Sequence, residues 1–551
     1  MRKLWRWVVY TGIWASPLIL CLGAWILMQI HPKETITPQE WGVLILLASV
    51  CVIYIWSTNA THKANGKADK DISVLDAFHY SPTVYDASDG KEKFVYPDID
   101  ARMLFDSPFE CFYTIGTTRV SGQRKYVGVP FDAPGAKHLL ITGGSGSGKS
   151  STQILNFLFG MERYNATHST QMHALVLDAK GEQWRTVGSK NGVDIALNLN
   201  DRQQGYGFNP FYMLSDNPTE QELYELAYTV TISLVPKPGP KMHDTGPWIA
   251  LAQDMLLGFI IYSYRYKGFR YLPQMVQYMM SRPMEELLEE ACNEAEPSSN
   301  AYIHLIQFMG MSAETLYSVT ATLFPKVKPY AIDQNLVWGM KNCPRMFRWE
   351  DLRSRSAYIV MPLDKIAQYG QLIFLLINMF SLWLFHLPEK TQEPERAELV
   401  LVLDETTAIF QALGSVPDQY PQLLRYGRSF GFNCITAVQS LAGLKTILDD
   451  ATFEDLISNQ PYKVFLDCAT EAKMLIDWVG KYKRRMTTFQ GIGKDRTQSV
   501  QFSDDDILTP AEAQKLGLSD ELICISALSG YSRMKKNPWY KDPNYNHMLR
   551  E

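Results

Sequence analysis

The sequence lacks any paired-cysteine signal. Its eight cysteines (Cys21, Cys51, Cys111, Cys292, Cys343, Cys434, Cys468 and Cys524) are scattered, with no C-x-x-C and no close histidine partner. That excludes a zinc ribbon or a disulfide framework and suits reduced thiols. An excess of positive charge is missing too. Against 53 Lys and Arg stand 58 Asp and Glu, a net charge of −5. No global basic field marks a nucleic-acid binder, so any such contact is local or created by assembly. With 551 residues, 46% hydrophobic and 20% charged, the chain has room for two or three domains plus a membrane segment.

Long uncharged runs are few, and two of them open the chain. 'VVYTGIWASPLILCLGAWILMQI' (8–30) is long enough to cross a bilayer core, and 'WGVLILLASVCVIYIW' (41–56) follows at once with aromatic residues suited to both interfaces. A secretory signal would have a shorter apolar core and no second span. Arg2, Lys3 and Arg6 precede the first run, and Lys63, Lys67 and Lys70 follow the second. The positive-inside rule therefore predicts a two-helix transmembrane hairpin over 1–57, with both termini and the main body cytoplasmic. A third apolar run, 'QLIFLLINMFSLWLFHL' (371–387), is short, carries Gln371, Asn378, Ser381 and His386, and lies between two expected strands. It reads as a buried core helix.

The strongest local signal is the octet Gly143-Gly144-Ser145-Gly146-Ser147-Gly148-Lys149-Ser150, set between the apolar 'HLLIT' (138–142) and the helical 'STQILNFLFG' (151–160). This is G-x-x-x-x-G-K-[ST] between a strand and a helix, a phosphate-binding loop. Glycines let successive N–H groups turn inward around phosphate oxygens, and the helix dipole adds to the same spot. Lys149 would reach the β- and γ-phosphates of ATP, Ser150 would join the Mg²⁺ shell, and Ser151 borders the cradle.

Two further strand ends carry acids. 'ALVLD' ends in Asp178, followed by Lys180 and Glu182, which either approach the site or merely include a helix-capping Asp. 'ELVLVLDE' ends in Asp404 and Glu405, which suit a Mg²⁺ ligand and a general base for the attacking water. 'FNCITAVQ' ends in Gln439, placed to sense the γ-phosphate or only to cap its strand. Arg425 and Arg428 precede that strand, as a solvated face or as an arginine finger offered to a neighbouring subunit. The densest basic run, 480–497, reads as a flexible loop, either solvated or in contact with nucleic acid.

Between these landmarks the period changes. From 212 to 345 apolar residues recur at helical spacing, punctuated by Pro and Gly, which predicts an all-α domain inserted into an α/β nucleotide-binding domain. The expected division is a hairpin (1–57), a first nucleotide-domain part (58–211), the all-α domain (212–345) and a second part (346–551).

Taken in order, the paired spans, 'ITGGSGSGKSS', 'VLDAKGE', 'GFNPF', 'PWIALAQDML', 'VLDE', 'RYGRSFGFNCITAVQS' and 'LTPAEAQKL' resemble the coupling-protein ATPases of type IV secretion and conjugation systems. Ala179 stands where the family commonly has Pro. The resemblance implies a RecA-like P-loop domain at the bacterial inner membrane and a homo-hexameric motor. It implies partners among the other secretion components, relaxase–DNA complexes and effector proteins. By motif, it makes Lys149 and Ser150 the phosphate and Mg²⁺ residues, Asp404 and Glu405 the second acidic motif, and Gln439 the sensor. A septal-type DNA translocase, or a nucleotide-binding membrane receptor with little turnover, is the alternative.

Overall fold

A computed structural model describes residues 84–86, 99–239, 247–468, 471–490 and 497–548. The expected membrane hairpin and the linker after it lie outside the described residues. The chain divides into two compact units, Met1–Pro97 with Ile476–Thr509, and Asp98–Leu475 with Pro510–Glu551.

In the smaller unit, Lys481–Gln490 and Thr497–Asp506 form an antiparallel pair, with Val84–Asp86 added in parallel to the first. The basic run is therefore largely strand, where the sequence suggested a flexible loop. Its register sets Lys481 opposite Asp506 and Lys483 opposite Asp504, so basic positions face acidic ones across the ladder.

The larger unit is built on one sheet. Its main strands are β1 (Tyr113–Val120), β2 (Gln123–Val129), β3 (Leu139–Thr142), β4 (Met172–Asp178), β5 (Ile195–Leu197), β6 (Ala357–Val360), β7 (Glu398–Leu403), β8 (Phe432–Val438), β9 (Tyr462–Phe465), β10 (Glu521–Ser526) and β11 (Gly530–Lys535). The order across the sheet is β2-β1-β11-β10-β9-β3-β8-β7-β4-β6-β5, with Leu104–Phe105 beyond β2. From β9 to β5 all neighbours are parallel, and from β9 towards β2 they are antiparallel. The parallel strands are continuous apolar runs because helices cover both faces. All four residues of β3 and all seven of β4 are buried.

Among the helices are α1 (Leu155–Thr167), α2 (Glu220–Leu234), α3 (Trp248–Arg265), α4 (Leu272–Met279), α5 (Met284–Glu294), α6 (Asn300–Ile306), α7 (Ala313–Ile332), α8 (Ile366–His386) and α9 (Thr406–Leu413), with others between and after them. Helices α2 to α7 form one stretch. The chain enters and leaves it side by side, because Gly207–Phe208 pairs in parallel with Met346–Phe347. A Cβ on Gly207 would stand 2.1 Å from the Gly339 carbonyl oxygen, so that crossing needs glycine. Helix α2 starts at a capping box in which Thr219 and Glu222 satisfy each other's backbone N–H.

Helix α8 is apolar on all sides and long enough to span a bilayer, yet most of it is buried in protein. Its Asn378 amide donates to Ser233 Oγ on α2 at 3.0 Å and accepts from the Gln419 N–H at 3.2 Å. A polar side chain satisfied in this way by neighbouring elements marks a core helix.

The segment after β11 is pinned by one carboxylate. Asp542 is wholly buried and accepts from Arg124 Nη2 (3.1 Å), Tyr126 Oη (2.9 Å) and Asn537 Nδ2 (2.9 Å). The Asn537 carbonyl in turn accepts from Asn156 on α1. Asp542→Ala strands these donors and should cost roughly 2–4 kcal/mol, with half-exposed Arg124 recovering water and limiting the loss. Urea titration checks this, and an unchanged midpoint contradicts it.

Candidate nucleotide site

The sheet order decides which side chains meet. β8 lies between β3 and β7, and β4 lies beyond β7. At about 4.8 Å per strand, the carboxyl ends of β3 and β7 stand roughly 10 Å apart, room for a phosphate group and a water. Parallel strands gather ligands at that edge.

From β3 the chain enters the loop Gly143–Ser150 and leaves through a π-helical turn, Ser150–Ile154, into α1. Gly146 (φ +80°) and Gly148 (φ +99°) adopt backbone conformations that L side chains resist. A Cβ on Gly143 would stand 2.5 Å from Ser147 Oγ. The loop is a tight cradle held by glycine. Lys149 is buried and its ammonium donates to the Gly143 (2.7 Å) and Gly144 (3.2 Å) carbonyls. Burial pulls its pKa down, and the charges of Glu405 and Asp404 oppose that. Ser147 Oγ is buried without a hydrogen-bond partner, whereas Ser145 lies at the exposed tip. Ser151 Oγ turns back to the Gly148 carbonyl at 3.4 Å, and Ser150 is half-buried at the helix start.

Asp404 and Glu405 are both 1% exposed. Glu405 sits in the left-handed region (φ +54°), a conformation costing about 1–2 kcal/mol for a residue with a side chain. Three hydrogen bonds hold it there. Its N–H donates to Asp404 Oδ1 (2.9 Å), Lys180 Nζ donates to its Oε1 (3.1 Å), and Gln439 Nε2 donates to its Oε2. Burial pushes the Glu405 carboxyl up, but the Gln439 amide, Lys149 and Lys180 outweigh it and leave the pKa below its ordinary value. For Asp404 burial wins, helped by the Glu405 charge, and the pKa is raised even though Gln183 Nε2 donates to Oδ2 at 2.9 Å.

The structure thus brings Lys149, Asp404, Glu405 and Gln439 to one edge. It places Arg428 elsewhere. That residue is exposed in the Gly427–Phe430 turn before β8, with the seven-residue strand, roughly 23 Å, between it and Gln439. Arg425 is engaged with Asp455 at 2.8 Å. Asp178 takes the capping role, accepting from the N–H groups of Glu182 (3.0 Å) and Trp184 (2.8 Å). Two residues at this edge escaped the sequence reading. Gln183 holds Asp404, and Asp467, just after β9, has Oδ2 positioned 3.1 Å from where a Gly144 Cβ would sit. Listing every polar residue within five positions of a parallel strand's carboxyl end would have found both.

The cradle and its donors fit a nucleotide with Mg²⁺. Glycine-held backbone N–H groups suit phosphate, and the Ser150 hydroxyl and Asp404 carboxylate are hard oxygens of the kind Mg²⁺ prefers. Among the described residues no cluster of three metal-binding side chains occurs.

A family model described as type IV secretory system conjugative DNA transfer matches residues 111–551. No curated protein matches the chain. Among solved structures, the unbound form of the bacterial conjugative coupling protein TrwB aligns at 17% identity, with TM-score 0.58, covering 77% of this chain and 88% of that one. TrwB with the non-hydrolysable ATP analogue ADPNP, and TrwB with ADP and Mg²⁺, each align at 16% identity and TM-score 0.58, covering 82% of this chain and 96% of theirs. At such identities the likeness shows a shared fold.

Asp178 gives the edge a pH signature. Burial outweighs its backbone hydrogen bonds and lifts its pKa from 3.8 to about 6. A carboxyl with a raised folded pKa stabilises the fold fully below the unfolded value and loses that contribution as pH rises through the folded one. Wild type should therefore lose up to about 3 kcal/mol relative to Asp178→Asn between pH about 4 and 6. Paired urea titrations across that range check it, and a pH-independent difference contradicts it.

Proposed function

The chain belongs to the type IV secretory system conjugative DNA transfer family, and on that premise we propose that it is a membrane-anchored coupling ATPase. It binds and hydrolyses ATP to deliver relaxase–DNA complexes or effector proteins to a secretion channel. The observation that carries this reading is the convergence of Lys149, Gln439 and the Asp404–Glu405 pair at one edge of the sheet. Family membership and the likeness to TrwB, solved with ADPNP and with ADP and Mg²⁺, support it.

In this reading the N–H groups of Gly143 to Ser150 cradle the phosphates of ATP, bordered by Ser151. Lys149 leaves the loop carbonyls for the β- and γ-phosphates. Ser150 and Asp404 would hold Mg²⁺, which would supply charge neutralisation for the phosphates. Glu405 polarises the attacking water, and Gln439 orients it against the γ-phosphate. Arg428 acts in trans. At the far end of β8 it serves a neighbour's site in a homo-hexamer. The nucleotide domain is RecA-like, divided by the helical stretch as 58–211 and 346–551 around 212–345. A two-span hairpin over 1–57 holds it to the bacterial inner membrane with the body cytoplasmic. Other type IV secretion components are its partners.

One observation favours a second reading, a nucleotide-binding receptor with little turnover of its own. Both Glu405 oxygens are already occupied, by Lys180 and Gln439. In the motor reading, assembly or cargo frees one of them.

Lys149→Ala in the full chain should abolish transfer without affecting membrane insertion. Normal transfer would sink the motor reading. Glu405→Gln should keep ATP binding and lower turnover by about 10² or more, so undiminished hydrolysis would assign the base elsewhere.

A further inference from the structure

The acidic pair is gripped from one side by a single turn. After β4, Asp178 accepts the backbone N–H groups of Glu182 and Trp184, with a longer 3.4 Å contact from Lys180. Gly181 makes the turn at φ +66°, and Arg185 Nη2 closes it by donating to the Lys180 carbonyl at 3.1 Å. Lys180 and Gln183, three residues apart, then reach the neighbouring strand end. Lys180 takes Glu405 at 3.1 Å and Gln183 takes Asp404 at 2.9 Å.

The two donors differ in ways that match the two acids. Gln183 is wholly buried, and its other amide atom, Oε1, has no partner, so the bond to Asp404 is what orients the side chain. A neutral amide fixes one carboxylate oxygen without cancelling its charge. A Lys or Arg in that place would compete with a divalent cation for Asp404. Lys180 is charged and its side chain is 42% exposed, so it can swing off Glu405 into solvent at little cost. One acid is held by a neutral amide, and the other is held by a removable cation.

Resting on the hydrolysis reading above, we propose that Gln183 and Lys180, carried on the Asp178-capped turn, are the positioning residues of the acidic pair. Gln183 sets Asp404 for Mg²⁺, and Lys180 sets Glu405 for water. Neither touches the reacting atoms. Partners of this kind, one bond behind a metal ligand, are worth 10–100-fold in metal affinity or activity.

The test uses the detergent-solubilised full chain as wild type, Gln183→Met, Lys180→Met and Lys180→Arg. Calorimetry follows binding of a non-hydrolysable ATP analogue in EDTA and across a Mg²⁺ titration, and steady-state turnover is measured alongside. Gln183→Met should bind the analogue in EDTA within about twofold of wild type but need at least about tenfold more Mg²⁺ for half-saturation. Lys180→Met should lower kcat about tenfold with KM nearly unchanged, and Lys180→Arg should recover most of it. A Gln183→Met titration superimposable on wild type overturns the proposal, even if its melting temperature falls, because Gln183 would then be structural only. Should that variant fail to fold, Gln183→Asn withdraws the amide by one methylene and answers the same question. A wild type that binds Mg²⁺ and analogue but never hydrolyses ATP overturns the hydrolysis reading instead, and the Mg²⁺ titration alone then decides the proposal.

Discussion

Four ionisable side chains, three of them buried, share one edge of the sheet, and their mutual compensation is what the rest of the site depends on. Lys149 and Lys180 bring two positive charges, Asp404 and Glu405 two negative ones. A buried charge left alone is costly: Lys180 pairs with Glu405 directly, while Lys149 and Asp404 are held by neutral groups and feel the opposite charges at longer range. The strand order makes this possible. With β8 inserted between β3 and β7, the phosphate loop and the acids leave the sheet two strand spacings apart, and β4 supplies the second lysine from the other side. Gln439, just past the end of the inserted strand, bonds the same carboxylate as Lys180.

This compensation also defines the state described. The ammonium of Lys149 lies on the carbonyls of its own loop, and both oxygens of Glu405 are engaged. In the proposed function, a triphosphate entering the cradle would offer Lys149 a better partner, and a cation arriving with it would offer Asp404 one. The pairs must then exchange partners. The left-handed backbone at Glu405, buttressed by its hydrogen bond to Asp404, keeps the two carboxylates apart and adjacent through that exchange.

The phosphate loop and the 'LVLVLDE' strand were legible in the sequence because their signals are local, glycine spacing in one case and an apolar run ending in acids in the other. The helical stretch was legible from its period, and α8, read as a core helix from its polar residues and its place between strands, is mostly buried in protein. What could not be read was anything set by strand order. Gln183 is three residues past a flagged lysine, yet its reach to Asp404 exists only because β4 and β7 are neighbours. Arg428 is close to Gln439 in sequence but a full strand away in space. The basic run from 480 looked like a loop because its charges mask the alternation of a strand. The acidic strand opposite it, ending in Asp504 to Asp506, becomes relevant only once the two are paired.

The proposed function makes this edge a working ATPase in a DNA-transfer system. The direct measurement is ATP turnover by the full chain in detergent, with and without single-stranded and double-stranded DNA. Turnover stimulated by DNA is the predicted result. ATP binding with no turnover under any of these conditions would contradict it and leave a nucleotide-gated receptor.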